Sequence, residues 1–222
     1  MKCIKAAAAL GAFVEGIHLG DAGANTALHA RVQEALHEHQ VLFFRDQQIT
    51  PAELESFARG FGELQDHPAY PKVPGTAVQM LESKPDKPSK IELWHSDMTF
   101  SATPPALTIV HGKIIPRSGG DTLWSTAAGA FDQLSDSMQQ FLLGLRAEHD
   151  FAHGFQESLA EPGGRERLQA AIDANPPVVH PLIRTHPGSG RRAIYVNPLF
   201  TTRIVELEPV ESDGLLNLLF SL

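Results

Sequence analysis

The sequence predicts a mixed α+β fold in which short strands are flanked by amphipathic helices. Three observations carry this. Between Asn25 and Gln40 the apolar residues Leu28, Val32, Ala35 and Leu36 recur at the spacing of one helix face. Thr50-Pro51-Ala52-Glu53 is a capping box with proline at the first helical position, a helix start written in side chains. Val178–Ile183 and Arg192–Asn197 are strand-like runs on either side of Pro187-Gly188-Ser189-Gly190, the pattern of a hairpin.

The chain has 222 residues, 42% hydrophobic and 20% charged, which is globular composition. That length suits one large domain or two small ones. A net charge of −8 without a basic run argues against nucleic acid and against an anionic membrane surface as partners. Cys3 is the single cysteine, so no internal disulfide forms, and a cytoplasmic protein is expected. The opening Met1–Leu10 superficially resembles a secretory leader, but its apolar stretch is short and Glu15 and His18 soon follow. No apolar run approaches the ~20 residues of a membrane span, so no membrane association is expected.

In chain order, residues 4–20 alternate loosely and are punctuated by Gly11, Gly16 and Gly20, which reads as a short strand and turns. Along the helix that follows, His29, His37 and His39 are expected on the solvated face, not as ligands. Val41-Leu42-Phe43-Phe44 is a continuous apolar run, read as a buried strand. The helix opened by Thr50 runs to about Gly60. Asp66-His67-Pro68-Ala69-Tyr70-Pro71 reads as a loop fixed by its prolines. Glu82–Lys90 is a polar surface loop. Pro104-Pro105 breaks the chain, and Ala106–Ile115 then alternates as a strand carrying His111. Gly119-Gly120 permits a tight backbone approach before Thr122, on a strand reading Thr-Leu-Trp-Ser. Thr126–Leu134, Ser135–Leu143 and Arg165–Ala174 read as helices, the last ended by Asn175-Pro176-Pro177. Glu208–Leu222 reads as a helix with Leu215, Leu216, Leu218, Leu219 and Phe220 on its apolar side.

The chemistry concentrates at Trp94-His95-Ser96-Asp97-Met98-Thr99-Phe100. In extended backbone, residues i and i+2 share a face, so His95 and Asp97 can aim a nitrogen and a carboxylate oxygen at one point. Two such ligands and a second histidine make the 2-His-1-carboxylate triad of non-haem Fe(II) oxygenases. Taken alone, His-x-Asp is a common tripeptide, and its plain reading is a solvated pair at a strand end.

The surroundings change that reading. Ser118-Gly119-Gly120-Asp121-Thr122-Leu123-Trp124, His180-Pro181-Leu182-Ile183-Arg184-Thr185-His186-Pro187 and Tyr195-Val196-Asn197-Pro198-Leu199-Phe200-Thr201-Thr202-Arg203 follow in order. With the first motif they resemble the TauD/TfdA family of Fe(II)- and 2-oxoglutarate-dependent dioxygenases, most of all its taurine dioxygenase members, over Leu10–Leu222. The resemblance implies a mainly β fold with flanking helices, a double-stranded β-helix or jelly roll, as a single domain over residues 1–222. It implies Fe(II) held by His95 and Asp97, with 2-oxoglutarate as co-substrate and the Thr122 hydroxyl on one of its carboxylates. It places His67, Tyr70, Phe155 and Phe200 around a small sulfonate such as taurine, with O2 as the other substrate. Hydroxylation beside the sulfonate would release sulfite and an aldehyde, with succinate and CO2 from the co-substrate. A homo-oligomer is implied as well.

Where this chain departs from the pattern, other readings open. Ile91 and Gly154 stand where taurine dioxygenase has polar substrate contacts, which admits an alkyl sulfate or another small acid. His180 and His186 match no ligand position and read as structural. The family's tryptophan-aspartate-asparagine run, distal histidine ligand and 2-oxoglutarate-binding arginine find no match, and residues 204–222 contain neither histidine nor arginine. The expectation is a domain incomplete at its C-terminus, missing its last core strands. A site short of one ligand and of the bidentate arginine holds metal and dicarboxylate more weakly, and a non-catalytic fragment is the remaining alternative.

Overall fold

The computed structural model of the chain describes residues 1–23, 25–84 and 92–222. Most of the polar loop expected over Glu82–Lys90, and Ile91 with it, lies outside the described residues. The chain divides into two bodies. The first takes Met1–Asp66, Tyr70–Met80 and Leu107–Thr126, and the second takes His67–Ala69, Leu81–Ala106 and Ala127–Leu222.

In the first body, β1 (Lys2–Lys5) pairs antiparallel with β2 (Ala12–Glu15), and β3 (Leu42–Phe43) lies parallel on the other side of β2. Helix α1 (Thr26–His39) is capped by Asn25, whose side chain accepts from Leu28 N. Helix α2 (Pro51–Arg59) opens with the expected box: Thr50 Oγ1 accepts from Glu53 N at 3.2 Å, and Glu53 Oε2 accepts from Thr50 N at 2.7 Å. The helices close on a core of Leu19, Val32, Ile49, Leu54 and Phe57. Two of the three histidines expected in solvent are in fact buried, His29 and His39. The His29 ring stacks on Phe57 and is edge-on to Phe61, and its nitrogens meet the carbonyls of Asn25 and Phe57, both at 2.9 Å. An imidazole face packs like an aromatic one when its polar rim is satisfied, and a count of apolar residues misses this. The β3 run is half-buried, not fully buried.

Ala106–Ile115 and the Thr122 stretch, expected as strands, are irregular. Alternation yields a strand only where a neighbouring edge takes up the backbone hydrogen bonds. The ladders of the described residues do not include either stretch. His111 is held at one nitrogen, 3.2 Å from the Gln47 carbonyl, and Lys113 Nζ donates to the Ile49 carbonyl at 2.8 Å.

The second body contains α3 (Ala127–Asp132), α4 (Asp136–Leu142), β4 (Arg146–His149), α5 (Phe151–Gly154), α6 (Gln156–Ala160) and α7 (Gly164–Ala174). It continues through β5 (Val178–Pro181), β6 (Ile183–Thr185), β7 (Arg192–Ile194), β8 (Thr201–Ile204) and α8 (Pro209–Phe220). Strand β4 is central in the antiparallel order β5-β4-β8, and β6 and β7 form the expected hairpin. The run expected as one strand over Val178–Ile183 breaks at Leu182. Its N–H donates to the Leu145 carbonyl at 2.9 Å and its carbonyl accepts from Tyr195 N at 2.7 Å, so one apolar run serves two ladders.

This body has two apolar clusters. Phe131, Leu142, Leu145, Leu182, Ile194 and Ile204 pack with Leu216 and Leu219 of α8. Ser212 Oγ, fully buried, accepts from Ile204 N at 2.8 Å and fastens α8 to β8. The second cluster is aromatic: Phe100, Phe151 and Phe200 with Leu168, and Phe155 against them. The described residues are thus a mixed helix-and-strand structure, as the sequence predicts.

Candidate active site

His95 and Asp97 lie in irregular backbone, not on a strand. Their donor atoms nevertheless converge, with His95 Nε2 3.3 Å from Asp97 Oδ1. His95 Nδ1 donates to the Leu93 carbonyl at 2.8 Å, which fixes the ring and turns Nε2 toward the carboxylate. Hydrogen bonding to Asp97 raises the His95 pKa above its ordinary value, against the opposing effect of burial. A cation between the two would replace the shared proton. Nitrogen and oxygen ligands at about 2.1 Å from one ion, at right angles, stand about 3 Å apart, so the pair has the spacing of two adjacent metal ligands. Among the described residues no group of three or more His, Cys, Asp or Glu side chains is placed to hold an ion. The pair thus has the donor types and spacing of two positions of a metal's ligand set.

The pair sits at the surface, its side chains 26% and 48% exposed, but two residues later the chain is fully buried at Thr99 and Phe100. The Phe100 ring is edge-on to Phe151 and to Phe200, at 5.0 Å each, and Phe151 stacks on Phe155 at 4.5 Å. His67 stands against this cluster, 5.9 Å from both Phe100 and Phe155. Burial lowers its pKa to about 4, partly offset by the Asp97 carboxylate, whose charge His67 feels. His67 is therefore a neutral imidazole at pH 7. Its Nδ1 accepts from Ala69 N at 3.2 Å, which puts the ring proton on Nε2.

His67, His95, Asp97, Phe155 and Phe200 thus all belong to the second body. Tyr70 and Thr122 belong to the first. Tyr70 is half-buried there, and its carbonyl accepts from Gln79 Nε2 at 2.8 Å. Thr122 is exposed, just after Gly119 and Gly120, which take φ +76° and +69°. Gly154 is filled from outside: a Cβ there would run into the Phe200 ring. The sequence reading missed Phe100 and Phe151 as walls of the cluster. Phe100 was within reach, since it ends the His95–Asp97 motif, but the contacts of both rings are long-range. His180, read as structural, is buried and donates from Nε2 to the carbonyls of Thr99 and Ser101, both at 3.0 Å.

A family profile described as "Taurine catabolism dioxygenase TauD, TfdA family" matches residues 5–222. The chain is 33% identical over 214 residues to an alkylsulfatase of Acinetobacter baylyi, covering 95% of this chain and 67% of that protein. It is 31% identical over 210 residues to an alpha-ketoglutarate-dependent sulfate ester dioxygenase of Pseudomonas putida, covering 93% and 69%. The crystal structure of a taurine dioxygenase from Burkholderia xenovorans superposes with a TM-score of 0.78 at 31% identity, covering 99% of this chain and 71% of that one. The convergent histidine and aspartate, the aromatic cluster beside them and these matches together place the chain in the TauD/TfdA family of Fe(II)- and 2-oxoglutarate-dependent dioxygenases.

Proposed function

We propose that the chain is the greater part of a jelly-roll dioxygenase domain that hydroxylates the carbon bearing the sulfur oxyanion of a small organic acid. A sulfonate such as taurine is the first reading. The observation that carries it is His67: neutral, with its proton on Nε2, and set between Phe100 and Phe155 in the neighbourhood of Asp97. A neutral N–H donor beside apolar walls suits a weakly basic sulfonate or sulfate oxygen next to a short carbon chain. Phe155 and Phe200 support that chain, and Tyr70 is carried over from the family resemblance as a further substrate contact. His95 and Asp97 hold Fe(II), and the Thr122 hydroxyl binds a carboxylate of 2-oxoglutarate. When bound, iron and 2-oxoglutarate supply the oxidation: O2 delivers one atom to the substrate carbon and the other to succinate, with loss of CO2. The protein's part is to orient that carbon and exclude water.

A second reading, an alkyl sulfate ester, is favoured by Gly154. Here the glycine offers no side chain to a polar group at the far end of the substrate, and Phe200 occupies the space. The product separates the two readings, since a sulfonate gives sulfite and an ester gives sulfate. The test is single-turnover assay of the chain with Fe(II), 2-oxoglutarate and either taurine or a short alkyl sulfate, reading succinate and both anions. Succinate coupled to either anion, lost in His95→Ala and Asp97→Ala, supports the proposal. Stoichiometric iron uptake with neither anion released overturns the substrate class.

A further inference from the structure

The backbone between the surface pair and the core turns sharply. Met98, directly after Asp97, has φ +50°, a left-handed conformation that costs a non-glycine residue about 1 kcal/mol or more. Such a conformation persists only where the surroundings impose it. Here they do so through Thr99. Its hydroxyl lies 3.0 Å from His149 Nδ1 and accepts from Asn197 Nδ2 at 3.1 Å. Its carbonyl, with that of Ser101, accepts from His180 Nε2.

The three gripping side chains are themselves fixed. Asn197 Oδ1 accepts from Leu199 N and Phe200 N at 3.1 and 2.9 Å, so the amide can only turn its NH2 toward Thr99. His149 is on β4, opposite Val178, and His180 is on β5, opposite Ala147, so the two are diagonal neighbours across one antiparallel ladder, with ring centroids 5.3 Å apart. The Thr99 hydroxyl, accepting from Asn197 Nδ2, is thus held against His149 Nδ1, which also lies 3.4 Å from Thr201 Oγ1. His149, Thr99 and Asn197 are buried to 5% exposure or less. In that setting these bonds are strong and their loss is costly.

We propose that His149, His180 and Asn197 are positioning residues for the metal-binding pair. By holding Thr99 and Ser101 they force Met98 into its left-handed turn, and that turn sets the direction from which the Asp97 carboxylate meets His95. The inference rests on the metal reading of His95 and Asp97 given above. It adds that the geometry of the pair is set by a latch whose three side chains come from 50 to 100 residues further along the chain.

The test compares Thr99→Val, which removes the hydroxyl at constant shape, with Thr99→Ser, which restores it. Leu216→Ala, in the other cluster of the same body, controls for general destabilisation. Co(II) binding to the folded chain is followed by its visible absorption, and amide exchange is followed over residues 92–101 without metal. The expected result is a loss of Co(II) affinity of about 10- to 100-fold in Thr99→Val, the range found when partners supporting a metal ligand are removed. Thr99→Ser recovers most of it, and Leu216→Ala leaves it within about threefold, because sites without shared partners act independently. His180→Gln, which keeps a donor, is expected to retain more affinity than His180→Leu. Equal affinity in Thr99→Val and wild type, or an equal loss in Leu216→Ala, overturns the latch. A wild-type chain that takes up no Co(II) sinks the metal reading instead. The latch then stands or falls on exchange, which must quicken at Asp97 and Met98 in Thr99→Val and not in Thr99→Ser.

Discussion

His149 has no exposed surface, and burial, with the neighbouring His180, lowers its pKa to about 4. Burial also lowers the pKa of His67 to about 4, and that of His180 below its ordinary value. In the unfolded chain each titrates near 6.5. A histidine depressed in the folded state stays neutral there while the unfolded chain takes up a proton. For His67 and His149 the resulting contribution to stability is complete above pH 6.5 and is lost as the pH falls through about 4, and His180 acts in the same direction. For fully buried His149 the loss over that window is on the order of 3 kcal/mol. Urea midpoints are expected to fall steadily from pH 7 to pH 4.5, and His149→Gln should flatten the slope while lowering the midpoint at pH 7. An unchanged slope would mean that His149 gains water or a partner on acidification. The sequence shows the His95–Asp97 pair because both donors lie in one heptapeptide. It does not show His149 meeting Thr99 across 50 residues, which only the pairing of strands determines.

Elements read from local chemistry are those the structure reproduces. Helix α2 is legible because Thr50, Pro51 and Glu53 settle its first turn without distant help. Thr50→Ala is expected to cost about 1 kcal/mol in the first body, read as a shift in urea midpoint without a change in slope. Helix α7 gives a sharper test at its start. Gly163 has φ +70° with open space around it, and an alanine there meets only the left-handed strain of about 1–2 kcal/mol. Gly164 is buried, and a Cβ there would meet the Ser158 carbonyl oxygen, a backbone atom that cannot swing aside. Gly164→Ala should therefore cost more than Gly163→Ala, about 3 kcal/mol, by thermal denaturation of each variant. The reverse order would mean that the turn before α7 yields more easily than its contact with α6. Strands are read less well, since their hydrogen bonds leave the segment: Ala106–Ile115 alternates as a strand and is not one, whereas Val178–Ile183 divides its bonds between two partners.

At the scale of the whole chain, two surface properties oppose each other. Val110, Ile114, Ile115 and Leu123 of the irregular segment are 70% exposed or more, Ile114 at 92%. Burying one such side chain against a neighbour is worth about 1.5–3 kcal/mol, so a few of them can drive association. Against this stands a net charge of −8, which keeps copies apart at low ionic strength. The range of that repulsion is about 10 Å at 0.1 M salt and about 3 Å at 1 M, whereas the apolar attraction does not weaken with salt. Repulsion should win in dilute buffer and attraction in concentrated salt. Sedimentation velocity is expected to show a monomer at low salt and concentration-dependent association near 1 M. Ile114→Lys with Ile115→Glu leaves the net charge unchanged while removing the apolar pair, and should keep the chain monomeric throughout. Association that persists in this double variant would place the contact elsewhere on the surface. A wild-type chain that stays monomeric at high salt would mean that these side chains, exposed as they are, do not form a contact between copies.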